Sequence, residues 1–387
     1  MFKKYFYILL IIVVNNLIAE IKINPDDGSE DDRFGQSVLI EDQWMFIGAN
    51  RDYNDDVNSG SVYVYAYDQD MNTVFYDKLI PSDYVHDQFF GKTISYDNDW
   101  LAVSSIYDND NGIKSGSVYI FNFDGNSWVE HSKLIAYDGS AFDRYGYSID
   151  IKSGKLAIGS IYDDDNGENS GSVYLYEYAN NLWSLSAKLS PNYLTEMDLF
   201  GFSVSLSDDF LAVSAPQSDV GNLEAGIVNL YSLNPNNYLE STILSPEDLN
   251  SYNHFGYRTY LESDFLIVSS IYDDDLTVNA GSVYIYKYIN DEWFYYDEVF
   301  ASDGIANDNF GISLSMYNNW LSIGSVDDDN GIDSGSLYLF KYEDDTFIQK
   351  AKINPSDGSQ YDEYSSSISI KSDYLLVGSK FDDDNGN

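Results

Sequence analysis

The chain contains no cysteine, so neither a disulfide framework nor a thiolate metal site can form. It has only three histidines and seven prolines among 387 residues. Basic residues are scarce, because 20 Lys and Arg stand against 64 Asp and Glu, for a formal net charge of −44. A surface of this charge repels nucleic acid and anionic lipid, and it favours metal cations or cationic partners.

Long apolar runs are also lacking, apart from one at the N-terminus that is too short to span a bilayer. This run, Tyr5 to Val14, follows two lysines, as in a secretory signal. We interpret residues 1–19 as a signal peptide that is cleaved before Glu20, with an uncleaved lipid anchor as the alternative. We therefore expect a secreted or cell-surface protein with no transmembrane segment, in which residues 20–387 form one domain.

What the chain has in abundance is repetition. A Phe-Gly pair, an apolar strand, a strand of small residues and a Gly-Ser-Val-Tyr strand recur with a period near 55 residues. The anchors are Phe34, Phe90, Tyr145, Phe200, Phe255, Phe310 and, in degraded form, Tyr364. A fixed period of this length, with short alternating strands, indicates one supersecondary unit copied seven times.

The unit that starts at Tyr145 shows the predicted architecture most clearly. Its strand patterns fall at residues 146–151, 155–160, 172–178 and 183–189. Four antiparallel strands joined by short turns form a sheet with two apolar faces, and a ring of such sheets covers both faces. We therefore predict an all-β fold, a seven-bladed β-propeller of four-stranded antiparallel blades. A β-solenoid is less suitable because its coils are far shorter, and the WD40 and kelch signatures are absent.

The two ends of the chain predict how the ring closes. Residues 22–29 nearly repeat residues 352–359, which end the sixth unit. We expect Ile21–Ile23 to supply the outer strand of the blade that contains residues 366–370. The seventh unit stops before its Gly-Ser-Val-Tyr strand, so we expect an incomplete last blade, truncation at the C-terminus and an unpaired strand edge.

The repeated motif resembles the FG-GAP repeat, as in the seven-bladed propeller of integrin α subunits and its bacterial relatives. The residues that carry the resemblance are Phe34-Gly35 with Gly48-Ala49, Phe200-Gly201 with Ser214-Ala215-Pro216, and Gly60 to Tyr63. The resemblance implies a secreted or surface propeller that binds ligands, often with calcium. Integrin blades carry an Asp-x-Asp-x-Asp-Gly calcium loop between the first two strands, where this chain has ordinary turns, so those calcium residues are not carried over.

Carboxylates concentrate instead in the loops between the second and third strands and in the crossings between blades. Clustered Asp, Asn and Gly suit calcium, which takes six to eight oxygen ligands, although the same residues also form ordinary turns. The candidate calcium ligands are Asp108, Asp110, Asn111, Asp163, Asp165, Asn166, Asp273, Asp275, Asp327, Asp329 and Asn330. The fourth unit has Gln217 to Asn222 at this place and is expected to bind nothing.

Catalysis has little support in the sequence. His86, His131 and His254 do not occupy corresponding positions, and no nucleophile triad, phosphate loop or zinc spacing occurs. We therefore predict a non-catalytic binding or adhesion module, dependent on calcium, whose acidic face engages a protein or glycan ligand. Two alternatives stay open: a propeller enzyme that acts on polysaccharide through a carboxylate pair, and a purely structural surface module.

Overall fold

Every regular element of the described chain is a β-strand. The structure is a computed structural model, and it describes residues 8–14, 17–29, 31–68, 72–234, 237–246, 249–327, 334–356 and 358–382. Within these ranges the all-β prediction is confirmed, and the repeated sheets form a propeller-like arrangement.

The strands follow the repeat along the chain. The N-terminal pair is β1 (Ile8–Val14) and β2 (Leu17–Ile23). The first repeat contributes β3 (Phe34–Glu41), β4 (Trp44–Ala49), β5 (Tyr53–Asn54), β6 (Val57–Asn58), β7 (Ser61–Tyr67) and β8 (Thr73–Leu79). The second contributes β9 (Phe90–Asp97), β10 (Trp100–Ser105), β11 (Ser117–Phe123) and β12 (Trp128–Leu134). The third contributes β13 (Tyr145–Lys152), β14 (Lys155–Ser160), β15 (Ser172–Ala179) and β16 (Leu182–Leu189).

The remaining repeats have the same order. The fourth contributes β17 (Val204–Leu206), β18 (Phe210–Ala215), β19 (Ile227–Asn234) and β20 (Asn237–Leu244). The fifth contributes β21 (Phe255–Glu262), β22 (Phe265–Ser270), β23 (Ser282–Ile289) and β24 (Glu292–Val299). The sixth contributes β25 (Leu314–Tyr317), β26 (Trp320–Ser325), β27 (Ser336–Glu343) and β28 (Thr346–Ile353). The seventh contributes β29 (Tyr364–Lys371) and β30 (Tyr374–Ser379).

Each of the first six repeats forms one four-stranded antiparallel sheet, with its strands in sequence order. We number these sheets first to sixth. A seventh four-stranded sheet has the order β2-β1-β30-β29, and β5 and β6 form a small separate hairpin. The first strand of each repeat, which we call the inner strand, contacts the inner strands of the neighbouring sheets.

The packing of the repeated motif residues explains why they recur along the sequence. The ring of Phe34 meets the ring of Tyr63 edge-on at 5.2 Å, so the Phe-Gly and Gly-Ser-Val-Tyr strands of one sheet interlock. The same contact recurs in the second, third, fifth and sixth sheets. Such edge-on pairs are among the favoured aromatic geometries, and all of these rings are buried.

The glycine of Gly-Ser-Val-Tyr is required where one sheet approaches the next. Gly116 has a φ of +86°, and a Cβ there would lie 2.1 Å from the carbonyl oxygen of Tyr145 in the third sheet. Only glycine tolerates both this backbone conformation and this approach. The repeat therefore encodes contact between sheets as well as the sheets themselves.

Adjacent inner strands are joined by hydrogen bonds from side chains to backbone. Ser95 Oγ accepts from Ile151 N at 3.0 Å, and Ser315 Oγ accepts from Ile370 N at 3.1 Å. The seventh and first sheets make the same bond, since Ser369 Oγ accepts from the amide of Ile40 at 3.1 Å. An apolar cluster that contains Leu376 also packs across this last boundary.

The seventh sheet differs from the expectation of an open edge. β2, which contains Ile21–Ile23, is its outer strand, but β1 lies between β2 and β30 and pairs with both. Leu9 therefore stands opposite Val377, as Tyr63 of the first sheet stands opposite Ile47. Because β1 takes the third-strand position, no edge of β30 is left unpaired.

Candidate functional site

The two kinds of acidic loop meet at one end of the sheets, which we call the loop face. It consists of the loops between second and third strands and the crossings to the next sheet, for example residues 106–116 and 135–144. These segments touch, because the amide of Phe142 donates to the carbonyl of Ile113 at 2.7 Å. Strands that alternate in direction bring both loops to the same end.

In the second sheet, the first acid of the loop is a buried structural centre. Asp108 is 1% exposed. Its carboxylate accepts hydrogen bonds from the hydroxyl of Tyr119 at 3.1 Å, from Gln88 Nε2 at 2.9 Å and from the amide of Asp110 at 3.0 Å. The loop thus folds around a buried carboxylate that accepts hydrogen bonds from these three groups.

A lysine ammonium occupies the space between the predicted metal ligands of this sheet. Lys133 Nζ lies 2.9 Å from Asp108, 2.7 Å from Asp110 and 2.7 Å from Asp83. Burial raises the pKa of Asp108, but hydrogen bonds from Lys133 and Gln88 outweigh it and hold that pKa below its ordinary value. The same contacts raise the pKa of Lys133 despite its burial, so the side chain stays charged.

The first, third and sixth sheets also place a lysine on the acidic loops. In the third sheet, Lys188 Nζ lies 2.9 Å from Asp138, 3.0 Å from Asp163 and 2.8 Å from Asp165. The first and sixth sheets show the pairs Lys78–Asp27, Lys78–Asp52 and Lys352–Asp303. Each of the four ammonium groups also sits over a tyrosine ring, at 4.8 to 5.3 Å from its centroid. A protein cation therefore offsets part of the negative charge of these loops from inside.

The asparagines proposed as ligands fasten the loops to the crossings. The side-chain amide of Asn111 donates to the carbonyl of Ala136. Asn166 donates to Ser190 Oγ at 2.6 Å and to the carbonyl of Pro191 at 3.1 Å. Their amide groups have a structural role that turn chemistry predicts.

The fifth sheet keeps the loop and replaces the lysine by an acid. Asp273 is 1% exposed, and its carboxylate accepts from Tyr284 Oη at 3.1 Å and Asn253 Nδ2 at 2.9 Å. Glu298 stands opposite Tyr284 in the strand register, where Lys133 stands opposite Tyr119. One oxygen each of Asp273, Asp275 and Glu298 lie within 4.8 Å of one another. Burial, and secondly the charge of Asp275, raise the pKa of Asp273.

The sixth sheet corrects the alignment of one predicted ligand. Asp327 comes two residues after Ser325, the end of its strand, just as Tyr162 comes two residues after Ser160. It accepts a hydrogen bond from Asn309 and lines the central cavity. Asp327 is therefore the counterpart of Tyr162 and not of Asp163, because the loop is one residue shorter than in the third repeat. The predicted ligands Asp329 and Asn330 lie outside the described residues.

The fourth sheet has an uncharged version of the network. Ser218 replaces the buried aspartate, Asn229 replaces the tyrosine, and the amide of Asn229 donates to the hydroxyl of Tyr193. Asp219 accepts from the amide of Glu224 at 2.8 Å in an exposed loop. The fourth loop therefore lacks the buried aspartate around which the second and third loops fold.

A second set of buried acids closes the crossings. Asp143 accepts from the amide of Ser140 at 2.6 Å, and Asp308 accepts from the amide of Ile305 at 2.6 Å. Burial raises the pKa of Asp143, and likewise that of Asp32, to about 6. These carboxylates satisfy the backbone of a tight turn, which explains their recurrence without any ligand.

The lysines are the functional residues that sequence reasoning missed. Lys78, Lys133, Lys188 and Lys352 recur near the ends of the outer strands. Their signal was the same period of about 55 residues that identified the aromatic anchors, and Ile243 and Glu298 break the series. Reading the basic residues by repeat position would have found both the lysines and these two exceptions.

Within the described part of the chain, no helix has the length and apolar character needed to cross a membrane. A search of curated proteins found none that matches the chain. The profile of the FG-GAP repeat matches seven segments, namely residues 19–65, 74–121, 128–176, 183–231, 238–286, 293–340 and 347–387. The first six segments run from around the outer strand of one sheet to the third strand of the next, which is the unit that links neighbouring sheets. Because these matches span most of the sequence, the chain belongs to the FG-GAP repeat family.

Proposed function

We propose that the chain is a non-catalytic binding module whose seven sheets are the blades of one closed propeller. Support for closure comes from the hydrogen bond between Ser369 and Ile40, which repeats the bonds between other neighbouring inner strands. The N-terminal strands complete the seventh blade in this proposal. A closed ring removes exposed sheet edges and gives the loop face a rigid base.

The observation that carries the binding role is a set of exposed apolar side chains on the loop face. Ile113 is 62% exposed and Phe142, which contacts it through the backbone, is 55% exposed. Leu223 and Tyr252 form the corresponding pair in the fourth repeat, at 48% and 51%. Apolar contacts surrounded by fixed charge are typical of a protein interaction surface. A protein with basic residues around an apolar patch fits this surface best, and a glycan ligand is the second candidate.

The binding proposal is tested with a panel of purified extracellular proteins and a glycan array. Each binder is measured again with the Ile113→Ser/Phe142→Ser variant and with the Val129→Ser variant, which changes an exposed apolar residue of an outer strand. We expect the loop-face variant to weaken binding at least tenfold and the control to leave it unchanged. Equal loss in both variants, or no binder at all, would contradict the proposal. Turnover of a polysaccharide would favour the enzyme alternative.

Calcium dependence, as we propose it, resides in the fifth sheet. Its support is the carboxylate group of Asp273, Asp275 and Glu298, to which calcium would supply the positive charge that lysine supplies elsewhere. Calcium accepts irregular multi-carboxylate sites more readily than magnesium. Millimolar calcium is expected to raise the melting temperature more than magnesium does at equal ionic strength. Glu298→Gln should abolish the difference and Glu292→Gln, on the same strand, should keep it; equal stabilisation by sodium would sink the proposal.

Secretion is also part of the proposal. The signal peptide of residues 1–19 includes the residues that form β1, so its cleavage and the presence of β1 exclude each other. Cleavage before Glu20 would remove β1 and leave β30 with β29 as its one remaining partner strand in the seventh sheet. Mass spectrometry of the exported protein decides whether residues 1–19 are retained. A chain that starts at Glu20 is expected to melt at lower temperature than the chain with β1, because a four-residue remnant of β2 cannot pair with β30 through an empty strand position.

A further inference from the structure

The space enclosed by the inner strands is divided into two compartments. The compartment at the loop face has a volume of about 540 Å³, and the one at the opposite end has about 320 Å³. One residue from each of six inner strands lines both compartments, and these residues form what we call the waist: Val38, Ile94, Ile149, Val204, Thr259 and Ile368. Five of the six are aliphatic, so the waist separates two polar spaces by an apolar ring.

Basic residues gather around the compartment at the loop face. Lys92, Arg258 and Lys380 line it, while Asp327 and Glu363 are the acids among its lining residues. This excess of bases occurs in a chain with more than three acidic residues for each basic one. The acidic residues are also engaged already, because Glu363 pairs with Lys380 and Asp327 accepts from Asn309. The local charge is therefore opposite to that of the protein as a whole.

Lys92 and Arg258 have no carboxylate within ion-pair distance among residues 8–382 that the structure describes. Burial, and after it the nearby charges of Lys380, Arg258, Arg33 and Arg144, together lower the pKa of Lys92 to about 7. A lysine kept among cations without a counter-ion is unfavourable, unless an anion from solution joins it.

The aromatic side of the compartment holds the arginine in place. The rings of Tyr147, Phe202 and Tyr257 succeed one another at centroid distances of 5.1 Å. The guanidinium of Arg258 lies over Tyr257 at 4.9 Å and donates to that residue's carbonyl at 3.1 Å. An arginine fixed against aromatic rings presents its remaining N–H groups for planar oxyanion recognition.

We propose that the loop-face compartment is a binding site for a small oxyanion, of the phosphate, sulfate or carboxylate class, held by Lys92 and Arg258. The volume is sufficient for a ligand larger than the anion itself, and the aromatic wall gives an apolar body a surface to contact. Arg33 and Arg144 add positive charge nearby, which offsets the repulsion of the surrounding carboxylates. This site is distinct from the protein-binding surface proposed above and does not depend on it.

The test is isothermal titration calorimetry of the full chain with sodium phosphate, sodium sulfate and sodium acetate, against sodium chloride at equal ionic strength. We expect saturable binding of at least one oxyanion with a stoichiometry near one, and the three salts distinguish the anion class. Lys92→Gln and Arg258→Gln should each weaken binding at least tenfold. Lys152→Gln, a change in the opposite compartment, should leave it unchanged.

Lys92→Arg keeps the positive charge and is the control for a loss of binding that is caused by misfolding of Lys92→Gln. It should retain binding, and it should remove the weakening that wild type shows as the pH rises through 7 and Lys92 loses its proton. The charged groups that face Lys92 are Arg33, Arg144, Arg258, Lys380, Glu363 and Asp327. Absence of saturable binding in wild type, or equal loss in Lys152→Gln, would overturn the proposal while leaving the loop-face partner test unaffected.

Discussion

The acidic loops of the second and fifth sheets have nearly the same structure around their buried aspartates. They differ in the sign of the charge that the outer strand supplies. Asp108 and Asp273 are both 1% exposed, and both accept from a tyrosine hydroxyl at 3.1 Å. A side-chain amide from the preceding crossing donates to each at 2.9 Å. The outer strand then supplies Lys133 in the second sheet and Glu298 in the fifth.

This one difference reverses the electrostatics of the loop. The pKa of Asp108 lies below its ordinary value because hydrogen bonds from Lys133 and Gln88 outweigh burial. The pKa of Asp273 lies above its ordinary value because burial, together with the charge of Asp275, outweighs the hydrogen bonds that Asp273 accepts. An acidic loop therefore does not define a metal site by itself, since what matters is whether the protein supplies the cation internally.

The largest effect is expected when the second sheet is given the charge of the fifth. Lys133→Glu removes the ammonium from buried Asp108 and adds a fourth carboxylate to those of Asp83, Asp108 and Asp110, so we expect a loss of about 3 kcal/mol of stability in urea unfolding. Lys155→Glu changes a residue of the second strand in the third sheet and serves as the control. A loss as large in the control would mean that net charge, and not this contact, governs the effect.

The reciprocal change should stabilise the protein by a smaller amount. Glu298→Lys places an ammonium opposite Tyr284, within the reach that Lys133 has for its own two loop carboxylates. We expect a gain of about 1 kcal/mol, because the contact adds charged hydrogen bonds but must order a long side chain. The calcium response should disappear in the same variant. Unchanged unfolding together with a retained calcium response would show that the two sheets are not equivalent.

Much of this architecture follows from the sequence, and the exceptions have physical causes. Phe34 and Tyr63 are readable because burial forces the same residue types into every repeat. The lysines were missed because a charged residue on an outer strand looks like an ordinary solvent-facing side chain until the loop it reaches is known. Asp327 was aligned with Asp163 because the loop of the sixth repeat is one residue shorter, and a shift by one residue within a run of aspartates cannot be recognised in the sequence.

The place of β1 was beyond sequence reasoning for a different reason. Residues 8–14 are apolar, and an apolar run at an N-terminus equally suits a signal peptide and a buried strand. The pairing of β1 with β30 depends on the assembled seventh sheet, which the sequence pattern alone does not show. The repeat predicted Ile21–Ile23 by its similarity to residues 352–354, whereas Ile8–Val14 resembles no third strand of the other sheets.

The pH dependence of stability should have opposite signs in the two sheets. Asp108 has a folded pKa below 3.8, so its contribution is present above that pH and is lost on acidification. Asp273 has a folded pKa above 3.8, so the folded state binds the proton more tightly and stability falls as the pH rises past that value. The measurement is the free energy of unfolding in urea between about pH 3 and pH 7, an interval that includes the ordinary carboxyl pKa values. Asp108→Asn should reduce the loss of stability on acidification. Asp273→Asn should reduce the decline of stability at higher pH. If both variants changed the pH slope of stability in the same direction relative to wild type, the reversal would be refuted.

The smallest effect is expected in the fourth sheet, where the described residues provide neither a lysine at this position nor a carboxylate cluster. Asp219 carries charge on the loop face, yet its one side-chain contact in the described structure is to the amide of Glu224 in an exposed loop. Asp219→Ala should therefore change stability by no more than about 0.5 kcal/mol and leave the calcium response intact. If Asp219→Ala reduced the calcium effect as much as Glu298→Gln does, the cation would be responding to the diffuse charge of the loop face. The charge at the position of Lys133 and Glu298 would then no longer explain why one acidic loop differs from another.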